Sequence, residues 1–187
     1  MTEELSEPEA WELLCEYTKG EALRKHARQV ESCMQAMARR FGQDEEAWQI
    51  AGMLHDLDYE MYPDQHCIKA KEIMEERGVD PLYIRAMLCH AWGERTQEKP
   101  ESEMEKSLFT VDELSGLINA ACLVYPSKSI EDCTKKSVLK KFKDKRFSAK
   151  IDRDHILQGC EMLGMPLEEV VEICIGGMKE NKELCGF

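Results

Sequence analysis

An all-α fold is predicted by three features of this 187-residue chain. Ala, Glu, Leu, Lys, Arg, Met and Gln supply 100 of its residues, whereas Val, Ile and Thr supply only 22. Straight-chain side chains lose little rotamer freedom in a helix, and β-branched ones favour strands. Apolar residues recur at three- and four-residue spacing over long stretches, and no five-residue alternation competes with that period. At this length a single domain is expected, with a core large enough to need no staples.

The elements follow in order. Ser6, with Pro8 and Glu9 behind it, opens a first helix through Trp11, Leu14, Cys15 and Thr18, and Gly20 stops it. A second helix covers Glu21 to Phe41, where Leu23, Ala27, Val30, Met34, Met37 and Phe41 form one apolar stripe and Gly42 is the residue that ends it. Asp44 caps a third helix that ends near His55-Asp56. The loop LDYEMYPD leads to a fourth helix expected from Asp64 to Arg77, before Gly78. Asp80-Pro81 pairs a cap with a proline in the first turn of a fifth helix, which carries His90 near its end. Residues 93–107 are polar and read as an exposed loop or lid. Thr110-Val111-Asp112-Glu113 has the T-x-x-E form that opens a sixth helix, to about Tyr125. Two more helices are expected, Arg153 to Leu163 and Pro166 to about Lys179. In domain terms, 1–20 is an N-terminal helix, 21–125 a helical core, and 126–187 a basic segment with C-terminal helices packed on the same domain.

Charge and cysteine content exclude several classes. The formal net charge is −12, which disfavours nonspecific attraction to nucleic acid or anionic membranes. No run of about 18 consecutive apolar residues marks a membrane span, and the acidic start MTEELSEPEA argues against a signal or transit peptide. Nine cysteines, an odd number with no CxxC pair, read as free thiols in a reducing cytoplasm. Against the acidic background, residues 135–150 (KKSVLKKFKDKRFSAK) carry +7 and leave −19 on the rest of the chain. Val138, Leu139, Phe142 and Phe147 interleave with those lysines. The segment reads either as a surface that docks its apolar residues and partly neutralises the acidic body, which is the favoured reading, or as a site for a phosphate-rich partner.

The chemistry sits on the histidines. The chain has five: His26, His55, His66, His90 and His155. His26 lies on the buried stripe of the second helix, between Leu23 and Val30. His55 and Asp56 fall where the third helix runs out; neighbours on a helix point about 100° apart, but at a fraying end both can turn to one target. Asp112, preceded by Leu108 and Val111, is placed in the first turn of the sixth helix. Imidazole nitrogen with carboxylate oxygen suits Mn, Fe, Zn, Ni or Co, and bundle cores commonly hold metals with side chains from several helices. Each residue alone has a structural explanation; the ordered set across separate helices points to a divalent ion.

This pattern resembles the HD-domain superfamily of metal-dependent phosphohydrolases. The resemblance rests on His26, then His55-Asp56 within AGMLHDLDYE, then Asp112 within FTVDELSGLI, and covers about residues 20–125. Family versions with two metals add two histidines between the doublet and the last aspartate, and His66 and His90 occupy those slots. The doublet continues as LDYE rather than the glycine-lysine continuation of the cyclic-dinucleotide phosphodiesterase branch, whose later glycine-tyrosine-proline signature is also missing. That substrate is therefore not assigned.

The resemblance implies an all-α bundle of the HD type and a phosphohydrolase acting on a small phosphorylated molecule, a nucleotide among the candidates, by attack of a metal-bound hydroxide. His26, His55, Asp56 and Asp112 would ligate a first divalent ion. His66 and His90 would either ligate a second or hydrogen-bond the phosphate. Lys25 and Arg28, flanking His26, and Lys69, after His66, are candidates for the phosphate. Asp58 is a candidate general acid or base, or else a turn cap. Glu94 and Arg95 are placed at the entrance. His155 fits no metal spacing and is read as structural, as are Cys67 and Cys89. Two alternatives keep the scaffold: a di-iron oxygenase, and a non-catalytic regulatory module whose metal is structural or lost.

Overall fold

A computed structural model describes residues 4–187. Among them the chain forms α1 (Glu7–Tyr17), α2 (Glu21–Phe41), α3 (Glu45–Leu54), α4 (Ile68–Glu76), α5 (Pro81–His90), α6 (Glu103–Val124), α7 (Lys135–Lys143), α8 (Arg153–Leu163) and α9 (Leu167–Glu180), with short 3₁₀ turns at Pro63–Gln65 and Ile130–Asp132. No strand occurs among the described residues, and the fold is all-α.

Helix ends obey the local chemistry of capping. Glu9 reaches back to the Ser6 N–H at 2.9 Å ahead of α1. Gly42 ends α2 with φ +65°, a left-handed conformation that a Cβ disfavours, while its N–H and that of Gln43 close the last turn. Asp44, Asp80 and Asp152 each accept a backbone N–H at the start of α3, α5 and α8.

Two expected boundaries move. The sixth helix begins at Glu103, not near Thr110: the Ser102 hydroxyl accepts the Glu105 N–H at 3.2 Å and the Glu105 carboxylate accepts the Ser102 N–H at 3.1 Å. This reciprocal box lies upstream of the T-x-x-E signal and satisfies two orphan donors, so the helix starts there. Asp112 is therefore mid-helix, and residues 103–107 are helical rather than lid. The fourth helix starts at Ile68, which leaves His66 in the connection before it, followed by Cys67 at φ +72°.

The remaining polar segment is tied down. Thr96 Oγ1 donates to the Leu88 carbonyl at 2.7 Å, and Arg85 pairs with Glu98 at 3.1 Å and with Glu105 at 3.0 Å. The basic segment contains a helix, α7, which buries Val138 and rests Leu139 and Phe142 on the core, and Phe147 beyond its end packs there too.

α2 and α6 form the centre. α2 packs against α3, α6 and α9; α6 packs against α2, α5 and α8. Being covered from several sides, α6 is apolar nearly all round, and it is long and apolar enough to pass for a membrane span although most of it is buried in the bundle. Close approach of α9 to α2 depends on Gly177, where a Cβ would collide with the Ser32 carbonyl oxygen and stand 2.9 Å from Ala36 Cβ. Gly177→Ala is expected to destabilise the fold by roughly 1–3 kcal/mol through overpacking, read by denaturant unfolding. An unchanged midpoint would show that the two helices separate freely.

Candidate metal centre

Five elements deliver six side chains to one place. His26 comes from the second turn of α2 and Asp112 from the middle of α6. His55 is the residue after α3, and Asp56 follows it in a run of turns closed by Leu57 N–H to Leu54 O at 3.2 Å and Tyr59 N–H to Asp56 O at 3.0 Å. With the i→i−4 ladder gone, Asp56 is free to swing to the same side as His55. His66 comes from the connection before α4, and His90 is the last residue of α5.

The two oxygens of Asp56 serve different partners. Oδ2 lies 3.3 Å from His55 Nε2 and 3.7 Å from His26 Nε2. Asp112 Oδ1 stands 2.9 Å from His26 Nε2 and 3.2 Å from His55 Nε2. Oδ1 of Asp56 lies 3.3 Å from His66 Nε2 and 3.5 Å from His90 Nε2. Geometrically, His26, His55, Asp56 and Asp112 make one group able to hold an ion, and His66 and His90 with Cys67 a second. The Asp56 carboxylate spans both.

Tautomers sharpen this arrangement. His55 Nδ1–H donates to the Gly52 carbonyl at 2.6 Å, His66 Nδ1–H to Asp58 Oδ1 at 2.7 Å, and His90 Nδ1–H to the Met87 carbonyl. These acceptors have no proton to give, so each Nδ1 must carry one and each neutral ring turns its Nε2 lone pair inward. Three lone pairs thus converge on two carboxylates, and His66 Nε2 faces His90 Nε2 at 3.3 Å. His55 Nε2 is wholly buried with no well-directed hydrogen bond. Such electron-rich convergence in a buried place fits a cation, and the Nδ1 partners are the outer hydrogen bonds that orient metal-binding imidazoles.

Electrostatics agree. Burial works against a charged His55, but Asp56 and Asp112 outweigh it and push the imidazole well above its ordinary value. Burial likewise acts to raise Asp56, yet His55 and His90 hold its carboxyl well below the usual range. Asp112 is depressed in the same way, against its burial, chiefly by His55 and His26. Positive charge is favoured here, and a divalent ion supplies it to several ligands at once. Cys67 also lies within reach of the His66–His90 pair. Burial, then Asp58 and Asp56, push its thiol far up.

A cleft of about 320 Å³ opens over this cluster, lined among others by Tyr59, Arg95, Glu113, Ile151 and His155. Several residues that the sequence nominates for the phosphate are not in it. Arg28 is bound to Glu7 and to Glu31 at 2.8 Å and stacks on Trp11. Lys25 lies over the Phe187 ring in a different depression, beside Trp11. Lys69 pairs with Glu72 at 2.5 Å. On amphipathic helices such residues face solvent or partner acids, and their nearness in sequence to a ligand does not turn them inward. Asp58 is fully buried, with Oδ1 on His66 and Oδ2 accepting the Ala70 N–H at 2.8 Å. Both oxygens are committed within the protein, an arrangement that orients His66.

The cation that does reach the cleft is Arg95. It follows the turn at Gly93 (φ +83°), with its N–H on the Ala91 carbonyl at 2.9 Å. It is exposed, with no carboxylate within 4.0 Å among the described residues. Two further lining residues escape sequence reasoning. Glu113, pushed up to about 7 by burial and then by the Asp112 charge, accepts the Asp152 N–H at 3.2 Å. His155 stacks on Phe109 and donates from Nε2 to its carbonyl at 2.8 Å, which leaves Nδ1 as a lone pair; burial lowers its pKa and keeps it neutral. A second acid beside Asp112, in a stretch from Ser107 to Val124 with no other charged residue, is a usable signal for Glu113. For His155 the spacing of metal ligands is silent, because a cleft wall follows no such spacing.

An all-α bundle whose helices and connections gather four imidazoles and two carboxylates is a candidate metal protein of the His/Asp class. The family model for the HD domain matches residues 23–117, just over half of the chain, and the chain belongs to that family. HD domains bind divalent metals, and the family's members are in general metal-dependent hydrolases. No curated protein and no solved structure matches the chain.

Proposed function

We propose that this protein is a metal-dependent phosphohydrolase acting on a small phosphorylated substrate. The observation that carries the reading is the turning of three Nε2 lone pairs onto the Asp56 carboxylate, whose two oxygens serve two ligand groups. His26, His55, Asp56 and Asp112 would hold one divalent ion, and His66, His90 and the other Asp56 oxygen a second. Such ions lower the pKa of a bound water and draw charge from a phosphoryl oxygen.

The chain's own residues do the rest. The Gly52 and Met87 carbonyls and Asp58 lock the three imidazoles, so no reorganisation is needed when charge develops in the cleft. Arg95 offers a fork of N–H donors to a phosphate held beside the cluster. His155 Nδ1 presents an acceptor to a substrate hydroxyl or amine, because its Nε2 proton is committed to Phe109. Tyr59, edge-on to His66 with ring centres 5.4 Å apart, offers an aromatic wall at the mouth. A cleft of this size suits one small molecule.

The test is metal analysis of purified protein, then chelator treatment and reloading with Mn, Fe, Co, Ni or Zn before a panel of phosphate monoesters and nucleotides. Release of inorganic phosphate that stops on chelation and returns with at least one ion is the expected result. A preparation that binds none of these ions and turns over nothing would remove the proposal.

A further inference from the structure

The basic segment ends at the cleft. Ile151 lines it, with Cδ1 3.1 Å from where a Cβ on Gly116 would stand. The next residue, Asp152, gives its N–H to Glu113, itself in the cleft wall and adjacent to Asp112. Lys150 is thus one residue from the cleft lining, a Cα step of about 3.8 Å.

The loop leading there is built around one side chain. The Arg153 guanidinium donates to the carbonyls of Lys141, Phe142, Asp144, Phe147, Ser148 and Ile151. Six carbonyls drawn to one half-buried fork fix the path of residues 141–151, and Ser148 takes φ +46° to allow it. Lys136, Lys140, Lys143, Lys145, Arg146 and Lys150 are all exposed along this basic segment. Among the described residues, none of those five lysines has a carboxylate within 4.0 Å, and Arg146 has only Asp144 at 3.8 Å. The cations are therefore not spent on the acidic body, and the frame that carries the loop ends at Ile151 in the cleft wall.

Resting on the phosphohydrolase reading, we propose that the end of α7 and the loop after it, residues 140–150, form a second subsite of the same cleft, which holds the distal phosphates of a nucleoside polyphosphate while one phosphate sits at the metal cluster. Two observations limit the ligand to a short one. The basic island carries +7 but the remainder of the chain carries −19, so a long polyanion leaving the island would run onto repelling surface. Tyr59 at the cleft mouth, exposed by 44 %, supplies a face on which a nucleobase stacks. Preorganised cations hold a phosphate chain without first losing side-chain partners.

The experiment uses the full chain carrying Lys143→Glu, Lys145→Glu and Lys150→Glu together, beside a charge-matched control with Lys19→Glu, Lys71→Glu and Lys128→Glu. Two substrates are compared on metal-loaded protein: adenosine triphosphate, and p-nitrophenyl phosphate, which has no distal phosphate. The loop variant is expected to lower the ratio of kcat/KM for the triphosphate to that for the monoester at least tenfold, while the control keeps the wild-type ratio. Binding of a fluorescent adenosine triphosphate analogue, followed by anisotropy, should weaken by a similar factor and lose much of its salt dependence. An unchanged ratio in the loop variant, or an equal fall in the control, overturns the subsite. Tighter binding of a labelled single-stranded hexanucleotide than of the triphosphate analogue also overturns it, in favour of nucleic acid. If wild-type protein turns over neither substrate, hydrolysis fails on its own account, and the anisotropy comparison still decides the loop.

Discussion

Replacing Asp56 with alanine is expected to empty both ion positions at once. Its carboxylate is the group shared by the two ligand sets, with Oδ2 toward His55 and His26 and Oδ1 toward His66 and His90. Without it the first set loses one of its two carboxylates, and the second loses its only one. Four imidazoles remain, but they converge with far less negative charge to balance a divalent ion. Metal-to-protein ratio, measured by elemental analysis after dialysis, should fall for both ions together. Activity should fall about a thousandfold or more, since metal stabilisation of the transition state is worth several kcal/mol and each 1.36 kcal/mol is tenfold. The Asp56 turn is held by backbone hydrogen bonds and by Leu57, which is wholly buried, so the helical signal should persist. Wild-type metal content in this variant would show that Asp56 does not bridge.

Asp58→Asn separates the two halves of the centre. The side chain keeps its shape, but one acceptor oxygen becomes an N–H₂ donor. Asp58 now accepts from both His66 Nδ1–H and Ala70 N–H, so one of these donors must face another donor. Losing a buried hydrogen bond of this kind costs roughly 1–3 kcal/mol of stability. Loss of an outer partner of a metal-binding histidine weakens affinity about 10–100-fold. Titration of metal-free protein should then show one ion binding as before, at His26, His55, Asp56 and Asp112, and a weakened second. A different result separates the alternative role: if Asp58 were the general acid or base, metal affinity would stay at the wild-type level while one limb of the pH–rate profile disappeared.

Much of this centre is legible in the amino-acid order alone. His26 can be placed on a buried stripe, and the doublet at a helix end, because a 3.6-residue period and a terminal Leu54-His55-Asp56 run are local properties. The same reasoning fails at Lys25, Arg28 and Lys69. Nearness to a ligand in sequence says little about direction on a helix, where Glu7, Glu31 and Glu72 claim two of those cations and Phe187 lies under the third. Asp58 misleads for the opposite reason: it follows the doublet in a turn, which suggests exposure, yet the turn folds it beneath His66. Arg95 lines the cleft, as its place after His90 suggests, whereas Glu113 becomes visible as a lining residue only when the end of α5 and the middle of α6 are brought together.

What the sequence determined by itself was the helical class and most helix limits, because propensity, caps and apolar period act within a few residues; it also named the histidines and aspartates that gather at the candidate centre. The start of α6 shows the limit even there: two capping signals competed, and the reciprocal Ser102–Glu105 pair prevailed. Only the tertiary structure decided which oxygen of Asp56 meets which histidine, that His155 and Glu113 wall the cleft, and that the basic loop ends at its rim. Those facts join residues far apart in the chain, and their positions follow from how helices pack rather than from any local rule.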